Sequence, residues 1–223
     1  MRRALYLAHR GDWRVAPENT LAAMRAALAV PGCDGLEFDV QSARDGVPVL
    51  LHDDTLDRVQ GIRASVDSLM ASELARIGVP TLKEVLAAVG REPFLDIELK
   101  GQATASVIEV VEAGRGEPGG GLARAVISSF RIDTLAMLQE RRPGWPRWLN
   151  VEVLGPAAIE VARLLGCAGI SAEWRSIDGH RARAVHDAGL DLAAWTVRRR
   201  STAQRLERLG VVAICVEAAA LDG

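Results

Sequence analysis

The sequence predicts an α/β fold of the TIM-like (β/α)8 barrel type. Nine short apolar runs alternate with amphipathic helical patterns along 223 residues, and this alternation is typical of a parallel sheet covered by helices. The length suits one such barrel, since barrels of this type typically have about 250 residues. We therefore expect a single domain that spans residues 1–223.

The nine apolar runs are the candidate strands, at residues 5–9, 36–40, 47–52, 94–100, 125–130, 148–153, 169–173, 190–197 and 211–216. The third run follows the second too closely for a parallel crossover, which needs roughly a dozen residues. Asp45-Gly46 between them is a tight-turn signal, so the third run is either a hairpin partner or a helix-free excursion. The other eight runs match the strand number of a barrel.

An open doubly wound sheet fits the same alternation, but no GxGxxG motif follows the first run. Leu21, Met24 and Leu28 share one face of the first predicted helix. Thr81 and Glu84 form a capping box before a later helix, and the pattern recurs at residues 201–204 before the last one. After His52, residues 53–79 are expected to form a long loop with one helical turn near 72–74, although as a loop insertion in a barrel of this kind it is short.

Composition narrows the possible partners and compartments. The 27 basic and 29 acidic residues give a net charge of -2, which does not support a nucleic-acid partner. Three cysteines without a CxxC pair predict reduced thiols rather than a zinc site or a disulfide framework. The chain starts without a signal-peptide pattern, and no stretch reaches the ~20 apolar residues of a membrane span. We expect a cytoplasmic protein with no stable membrane insertion, whereas the oligomeric state is unknown.

Charged side chains interrupt two of the predicted strands. Glu37 and Asp39 lie two residues apart and therefore point the same way, and Asp96, Glu98 and Lys100 share a face in the same manner. A sheet edge with one wet face would alternate similarly. However, both sets lie at the C-terminal ends of their strands, where barrel active sites form. Converging buried carboxylates need a cation, and oxygen ligands favour Mg²⁺ or Ca²⁺ over zinc.

Two histidines end predicted strands in the same third of the chain. His9 precedes Arg10, and His52 precedes Asp53. Two histidines can act as base and acid near neutral pH, while a divalent cation, an arginine and a lysine can neutralise a phosphate. This combination predicts phosphoester cleavage. His180 and His186 lie on a predicted surface helix without a metal-binding pattern.

These residues resemble the glycerophosphodiester phosphodiesterase family, within the phospholipase C-like phosphodiesterases. The matching motifs are Ala8-His9-Arg10-Gly11, Pro17-Glu18-Asn19-Thr20, Glu37-Phe38-Asp39-Val40, Asp45-Gly46-Val47-Pro48-Val49, His52-Asp53-Asp54-Thr55-Leu56-Asp57-Arg58, Pro80-Thr81-Leu82, Ile97-Glu98-Leu99-Lys100, Ser128-Ser129-Phe130 and Trp195-Thr196-Val197. Their order and spacing hold over nearly the whole chain, and the first hundred residues match best.

The resemblance implies a metal-dependent enzyme that hydrolyses glycerophosphodiesters to sn-glycerol 3-phosphate and an alcohol through a cyclic phosphate. It implies one divalent cation, Ca²⁺ or Mg²⁺, as the cofactor and a small-molecule substrate. The implied roles are acid–base catalysis by His9 and His52, cation binding by Glu37, Asp39 and Glu98, and substrate binding by Arg10, Lys100 and Trp195. Residues 17–20 are expected to build the loop and start the first helix, since proline fits a helix start and Asn19 suits a cap.

The sequence also departs from the family pattern near its C-terminus. The family usually has Asn after Trp-Thr-Val, where this chain has Arg198, and its last strand usually ends in Thr-Asp before a proline, where this chain has Val216-Glu217. We expect Arg198 to begin a solvated run of three arginines. Two alternatives stay open: a phosphodiesterase acting on lysophospholipids in the manner of a lysophospholipase D, and a catalytically lapsed barrel that binds phosphorylated ligands.

Overall fold

The computed structural model describes residues 3–222, so that residues 1, 2 and 223 of the predicted domain lie outside the described part. Nine strands form one sheet: β1 (Leu5–His9), β2 (Gly35–Ser42), β3 (Pro48–Leu50), β4 (Phe94–Leu99), β5 (Ala125–Ser129), β6 (Arg147–Val151), β7 (Gly169–Glu173), β8 (Asp191–Val197) and β9 (Ala213–Val216). Eight of them pair in parallel in the order β1-β9-β8-β7-β6-β5-β4-β2, and pairing of β1 with β2 closes the ring. The predicted TIM-like barrel is confirmed.

Helices cover the outside of this barrel. They are α1 (Leu21–Leu28), α2 (Asp57–Gln60), α3 (Ala71–Arg76), α4 (Leu82–Val89), α5 (Ala105–Arg115), α6 (Ile132–Arg141), α7 (Pro156–Leu164), α8 (Gly179–Asp187) and α9 (Arg200–Arg208), with short 3-10 helices at Val66–Ser68, Trp174–Ser176 and Ala218–Ala220. Within residues 3–222, no helix has both the length and the apolar character needed to cross a membrane.

The ninth strand, β3, is a hairpin partner outside the barrel ring. It runs antiparallel to β2, with Val40 opposite Leu50 and Ser42 opposite Pro48. The two strands are joined by residues 43–47 without a helix, which confirms the predicted helix-free connection. β3 therefore extends the C-terminal end of β2 beyond its pairing with β4 and carries the chain towards His52.

The insertion after His52 is more ordered than the sequence suggested. The single helical turn expected near residues 72–74 is a six-residue helix, α3, and α2 and a 3-10 helix precede it. These elements pack around an apolar cluster that is separate from the main core, here named the insertion cluster: Ala43, Val49, Leu51, Leu56, Val66, Ala71, Leu74 and Val79. Helices this short span fewer than two turns, so the sequence shows no helical periodicity for them.

Residues 17–20 do precede α1, but two of the three predicted capping side chains are wrong. α1 begins after Thr20, whose hydroxyl accepts the N–H of Ala23, and the side chain of Asn19 is used elsewhere. α9 begins at Arg200 without a side-chain cap, so Ser201 lies inside the first turn and forms no capping box. Thr81 does form the predicted capping box with Glu84.

The alternation of side chains along each strand separates the barrel wall from its interior. Leu95, Ile97 and Leu99 face the helices in the main core. On the opposite face, an apolar cluster of Leu7, Val126, Trp148, Ala193 and Ala213 fills the interior. The residues two positions further along these strands are His9, Ser128, Asn150, Trp195 and Cys215. An apolar plug therefore supports a polar layer nearer the C-terminal ends of the strands.

Candidate active site

Three carboxylates meet at the C-terminal ends of β2 and β4. Glu37 is opposite Asp96 and Asp39 is opposite Glu98 in the register of the two strands. Glu37, Asp39 and Glu98 are all buried, and one oxygen atom of each lies within 4.8 Å of the others. Neither carboxylate oxygen of Glu37 has a hydrogen-bond partner. An all-oxygen set with unsatisfied buried atoms is suited to Mg²⁺ or Ca²⁺.

The electrostatics of this cluster differ from one carboxylate to the next. Burial raises the pKa of Glu37 well above its usual range, and the charges of Asp39 and Glu98 add to this rise. Burial also opposes ionisation of Asp39, but Arg10 and Lys100 outweigh it and lower the pKa of Asp39 to about 2. Asp39 is therefore an ionised ligand candidate, whereas at Glu37 the charge of Arg10 does not offset burial and the neighbouring carboxylates.

Two cationic side chains border the cluster. Arg10 Nε lies 3.0 Å from Asp39 Oδ2, and Lys100 Nζ lies 2.9 Å from Asp39 Oδ1 and also contacts Glu98. Both cationic side chains are only partly exposed and line the same cavity as Glu37. Arg10 and Lys100 can therefore contact an anionic group that enters the cavity and lies next to the carboxylates.

Both histidines line the same cavity. His9, at the end of β1, places Nε2 at 3.7 Å from Glu37 Oε2 and Nδ1 at 2.5 Å from Glu217 Oε1. His52, after β3, pairs Nδ1 with Asp53 Oδ1 at 2.6 Å. Burial lowers the pKa of His9, although the hydrogen bond to Glu217 opposes this. Each imidazole therefore has one nitrogen held by a carboxylate and the other nitrogen available.

The loop after β1 shapes this site through three residues with positive φ. Arg10, Gly11 and Asn19 have φ values of 60°, 83° and 57°. A Cβ atom at Gly11 would lie 2.7 Å from the carbonyl carbon of Ala23, which explains the glycine after Arg10. The Asn19 amide donates a hydrogen bond of 2.9 Å to Asp39 Oδ2. Asn19 thus orients a candidate cation ligand instead of capping α1.

A chain of ion pairs connects the two histidine-bearing loops. Arg58 on α2 donates to both oxygens of Glu18 and to Asp53, and Glu18 also accepts from Arg10. Glu18, Asn19, Asp53, Arg58 and Glu217 were not predicted as functional residues. The first four lie within the motifs that carry the resemblance, so the motifs themselves were the available signal. The signal for Glu217 was its place after the last strand, where the family usually has the Asp of a Thr-Asp pair.

The cavity has a volume of about 240 Å³ and an aromatic wall. The rings of Phe130 and Trp195 meet edge to face with 5.6 Å between centroids, and Lys100 Nζ lies 5.9 Å from the Phe130 centroid. The Trp195 indole N–H donates to the carbonyl of Ser171. The cavity is lined by seven of the eight predicted site residues, namely His9, Arg10, Glu37, His52, Glu98, Lys100 and Trp195, and Asp39 joins them through the carboxylate cluster.

Polar side chains from four strands form the floor of this cavity: Asp96, Asn150, Ser171 and Cys215. Asp96 is buried, and burial raises its pKa to about 7 despite a hydrogen bond with Ser128. Sequence analysis placed Asp96 on the same face as Glu98 and Lys100, and the structure agrees. His180 and His186, in contrast, lie on exposed positions of α8, away from this cavity.

The run after Trp195-Thr196-Val197 is only partly as expected. Arg198 is exposed, as a solvated run requires, but its Nε also lies 2.7 Å from Glu217 Oε2. Arg200 is the first residue of α9. The two departures from the family pattern, Arg198 and Glu217, are therefore in direct contact.

This barrel and its site define a phosphoric diester hydrolase. The model of the glycerophosphoryl diester phosphodiesterase family matches residues 9–221. The chain belongs to this family and is a glycerophosphodiester phosphodiesterase.

Individual relatives agree with this assignment. The glycerophosphodiester phosphodiesterase of Caldanaerobacter subterraneus is 27% identical over 96% of this chain and 94% of its own length. Mouse glycerophosphodiester phosphodiesterase 1 is 36% identical over 44% of this chain and 34% of its own length. A phosphodiesterase from Oleispira antarctica, solved in complex with the product sn-glycerol-3-phosphate, superposes with a TM-score of 0.84 at 27% identity, covering 96% of this chain and 93% of its own. A Thermotoga maritima glycerophosphodiester phosphodiesterase shares the fold, with a TM-score of 0.83 at 21% identity over 100% of this chain and 97% of its own.

Proposed function

We propose that this enzyme uses one divalent cation and the pair His9 and His52 to hydrolyse glycerophosphodiesters to sn-glycerol 3-phosphate and an alcohol. The observation that carries the proposal is that both histidines, the carboxylate cluster and two cationic side chains face one cavity. The Oleispira relative was solved with sn-glycerol-3-phosphate as its product, which supports the same product here.

Glu37, Asp39 and Glu98 would hold the cation, either Ca²⁺ or Mg²⁺, through carboxylate oxygens. When bound, it supplies a positive charge that polarises the phosphoryl oxygens and compensates the buried carboxylates. Arg10 and Lys100 bind the phosphate from the side of Asp39, since their charges already lie at this edge of the cavity. Arg10 can donate two parallel hydrogen bonds to phosphate, whereas Lys100 acts as a compact charge.

The histidines move the protons of two successive displacements. In the first, one imidazole accepts the proton of the neighbouring glycerol hydroxyl, whose oxygen forms a bond to phosphorus as the bond to the alcohol breaks. The other imidazole protonates the departing alcohol oxygen, so the product is a cyclic phosphate. In the second, water opens the ring while the two imidazoles exchange their roles.

Trp195 and Phe130 form an aromatic wall of the cavity. Their apolar faces fit the carbon skeleton of a glycerol group, and they leave less room for water beside the phosphate. Lys100 lies over the Phe130 ring, so the aromatic wall also fixes the position of one phosphate-binding charge.

The test is release of sn-glycerol 3-phosphate from glycerophosphocholine by the purified chain. We expect activity with Mg²⁺ or Ca²⁺, none after EDTA, and recovery when the cation is restored. His9→Ala and His52→Ala should each lower kcat by about 10²- to 10⁴-fold, while the exposed-helix control His186→Ala leaves it unchanged. Equal activity with EDTA would contradict the requirement for a cation. Full activity of either site variant would contradict the proposed acid–base roles of His9 and His52.

A parallel assay with lysophosphatidylcholine separates the two substrate classes. A cavity of about 240 Å³ with a closed polar floor suits a short polar ester, so we expect the kcat/KM of glycerophosphocholine to exceed that of the acylated compound. The reverse order would make this chain a lysophospholipid-directed phosphodiesterase with the same site.

A further inference from the structure

The ends of β8 and β9 bring two charged residues together through strand register. Val197 on β8 is opposite Val216 on β9, so the next residues, Arg198 and Glu217, emerge side by side. The backbone N–H of Glu217 donates a 2.9 Å hydrogen bond to the carbonyl of Val197. This pairing therefore follows from the sheet itself and does not depend on a flexible loop.

The Glu217 carboxylate uses its two oxygens in different ways. Oε1 lies 2.5 Å from His9 Nδ1, and Oε2 accepts a 2.7 Å hydrogen bond from Arg198 Nε. The side chain of Glu217 is 7% exposed, whereas that of Arg198 is 73% exposed. An exposed arginine thus holds a buried carboxylate, and that carboxylate contacts the histidine at the end of β1.

We propose that Arg198 and Glu217 act as one positioning unit for His9. The proposal rests on the proposed function of His9. Glu217 accepts the Nδ1 proton of His9, which fixes the imidazole in the tautomer whose Nε2 is unprotonated and faces the cavity. Arg198 fixes the rotamer of Glu217, because its hydrogen bond occupies the oxygen that does not face His9. Neither residue is a catalytic residue in this scheme, since both act through His9.

The position of the second ring nitrogen of His9, Nε2, supports this positioning role. His9 Nε2 lies 3.7 Å from Glu37 Oε2, so the imidazole points towards the carboxylate cluster while Nδ1 points to Glu217. Rotating the ring away would break the contact with Glu217 and leave a buried carboxylate oxygen without a partner. A carboxylate behind a histidine stabilises the tautomer and orientation that a general base requires.

The neighbouring strand end provides a matched control. Arg175 lies 2.6 Å from Glu173 at the end of β7, and its side chain is 72% exposed. Within residues 3–222, the Glu173 carboxylate accepts hydrogen bonds from Arg175 alone and contacts neither His9 nor His52. Arg175→Ala therefore removes an exposed arginine from a carboxylate at the same edge of the barrel without touching either histidine.

The first experiment compares kcat and KM for glycerophosphocholine in four variants. We expect Glu217→Gln to lower kcat by about 10- to 100-fold with KM changed less than about 2-fold, since a neutral amide orients the ring less strictly. Arg198→Ala should lower kcat by about 3- to 10-fold. The double variant should match Glu217→Gln, because Arg198 acts through that carboxylate, and Arg175→Ala should retain the kcat of the parent chain.

A second experiment determines the tautomer of His9 by NMR, without an activity assay. In protein with ¹⁵N-labelled histidine, the ring nitrogens of His9 should report a proton on Nδ1 and none on Nε2. Glu217→Gln should give a mixture of tautomers, and Arg198→Lys should keep more of the Nδ1–H form than Arg198→Ala. If the parent chain lacks activity, the proposed function fails while this measurement still tests the positioning unit.

Two outcomes would overturn the inference. One is an unchanged His9 tautomer in Glu217→Gln together with an unchanged kcat. The other is strictly multiplicative losses in the double variant, which would show that Arg198 acts independently of Glu217. Melting temperatures of all variants identify a loss of folding, and Arg198→Ala keeps the test decisive because its exposed side chain contributes little to stability.

Discussion

Arg10 Nε lies 3.0 Å from Asp39 Oδ2, at the opposite oxygen from Lys100. The two cationic side chains that we assign to phosphate therefore rest on one of the carboxylates that we assign to the cation. Asp39 is electrostatically compensated by this arrangement, whereas the oxygens of Glu37 have no hydrogen-bond partner. Neutralising either carboxylate should weaken cation binding, but the effects on the cation-free protein should have opposite signs.

Glu37→Gln should leave the cation-free protein at least as stable as the parent chain. Burial and the charges of Asp39 and Glu98 already oppose ionisation of Glu37 in the cation-free protein, so a neutral amide at this position introduces no new unfavourable charge. At about 100 times the Kd of the parent chain, a cation should stabilise the parent by about 2.7 kcal/mol and this variant much less. Thermal unfolding with EDTA and then with Mg²⁺ or Ca²⁺ measures both effects; an equal cation-dependent shift would remove Glu37 from the cation site.

Asp39→Asn should lower the stability of the cation-free protein by roughly 1–3 kcal/mol. Arg10 and Lys100 lose their shared partner, although each keeps one carboxylate, Glu18 and Glu98 respectively. Denaturant unfolding in EDTA measures the change. A variant that is more stable than the parent would show that the ion pairs with Asp39 do not compensate its burial.

Two substitutions at Asn19 separate the effect of its backbone conformation from the effect of its side-chain hydrogen bond. Asn19→Gly keeps the positive φ accessible but removes the hydrogen bond to Asp39, so we expect weaker cation binding in a folded protein. Asn19→Ala removes the same bond and adds roughly 1–2 kcal/mol of strain, because an L side chain disfavours this conformation. Calorimetric cation titration and unfolding of both variants provide the comparison. Equal free energies of unfolding for the two variants would contradict the backbone strain that we expect for alanine at position 19.

Leu99→Ala should destabilise the barrel by about 2–5 kcal/mol. Leu99 is buried in the main core on the outer face of β4, while its neighbours on the strand face the cavity. Leu164→Ala is the matched control, since Leu164 is exposed on α7 and its loss should change stability by less than about 0.5 kcal/mol. Similar values for the two variants would mean that this face of β4 does not pack as the structure shows.

Sequence analysis predicted the barrel and the convergence of its site residues for one physical reason. Side chains alternate along a strand, so Glu37 with Asp39, and Glu98 with Asp96, had to share the interior face. Adjacent parallel strands then bring these pairs to the same end of the barrel. The proximity of the eight predicted residues thus follows from periodicity and topology together, while their chemical roles are tested by the experiments above.

The residues that the sequence did not indicate depend on contacts between distant segments. His9 and Glu217 are separated by 208 positions, and their contact requires both the closure of the barrel between β1 and β9 and the register of β9. Asn19 was misassigned because asparagine suits a helix cap as well as a left-handed backbone. The insertion was underestimated because its helices are stabilised by apolar contacts with residues near β3, which local sequence patterns do not report.

The separate insertion cluster has a consequence for how the two histidines meet. His9 belongs to the barrel, whereas His52 directly follows Leu51 of the insertion cluster, and Gln41 holds this segment through the carbonyls of Leu51, His52 and Asp53. A cluster with its own packing can open while the barrel stays folded. The position of His52 relative to His9 therefore depends on the packing of the insertion cluster and on the hydrogen bonds from Gln41, and not on the barrel alone.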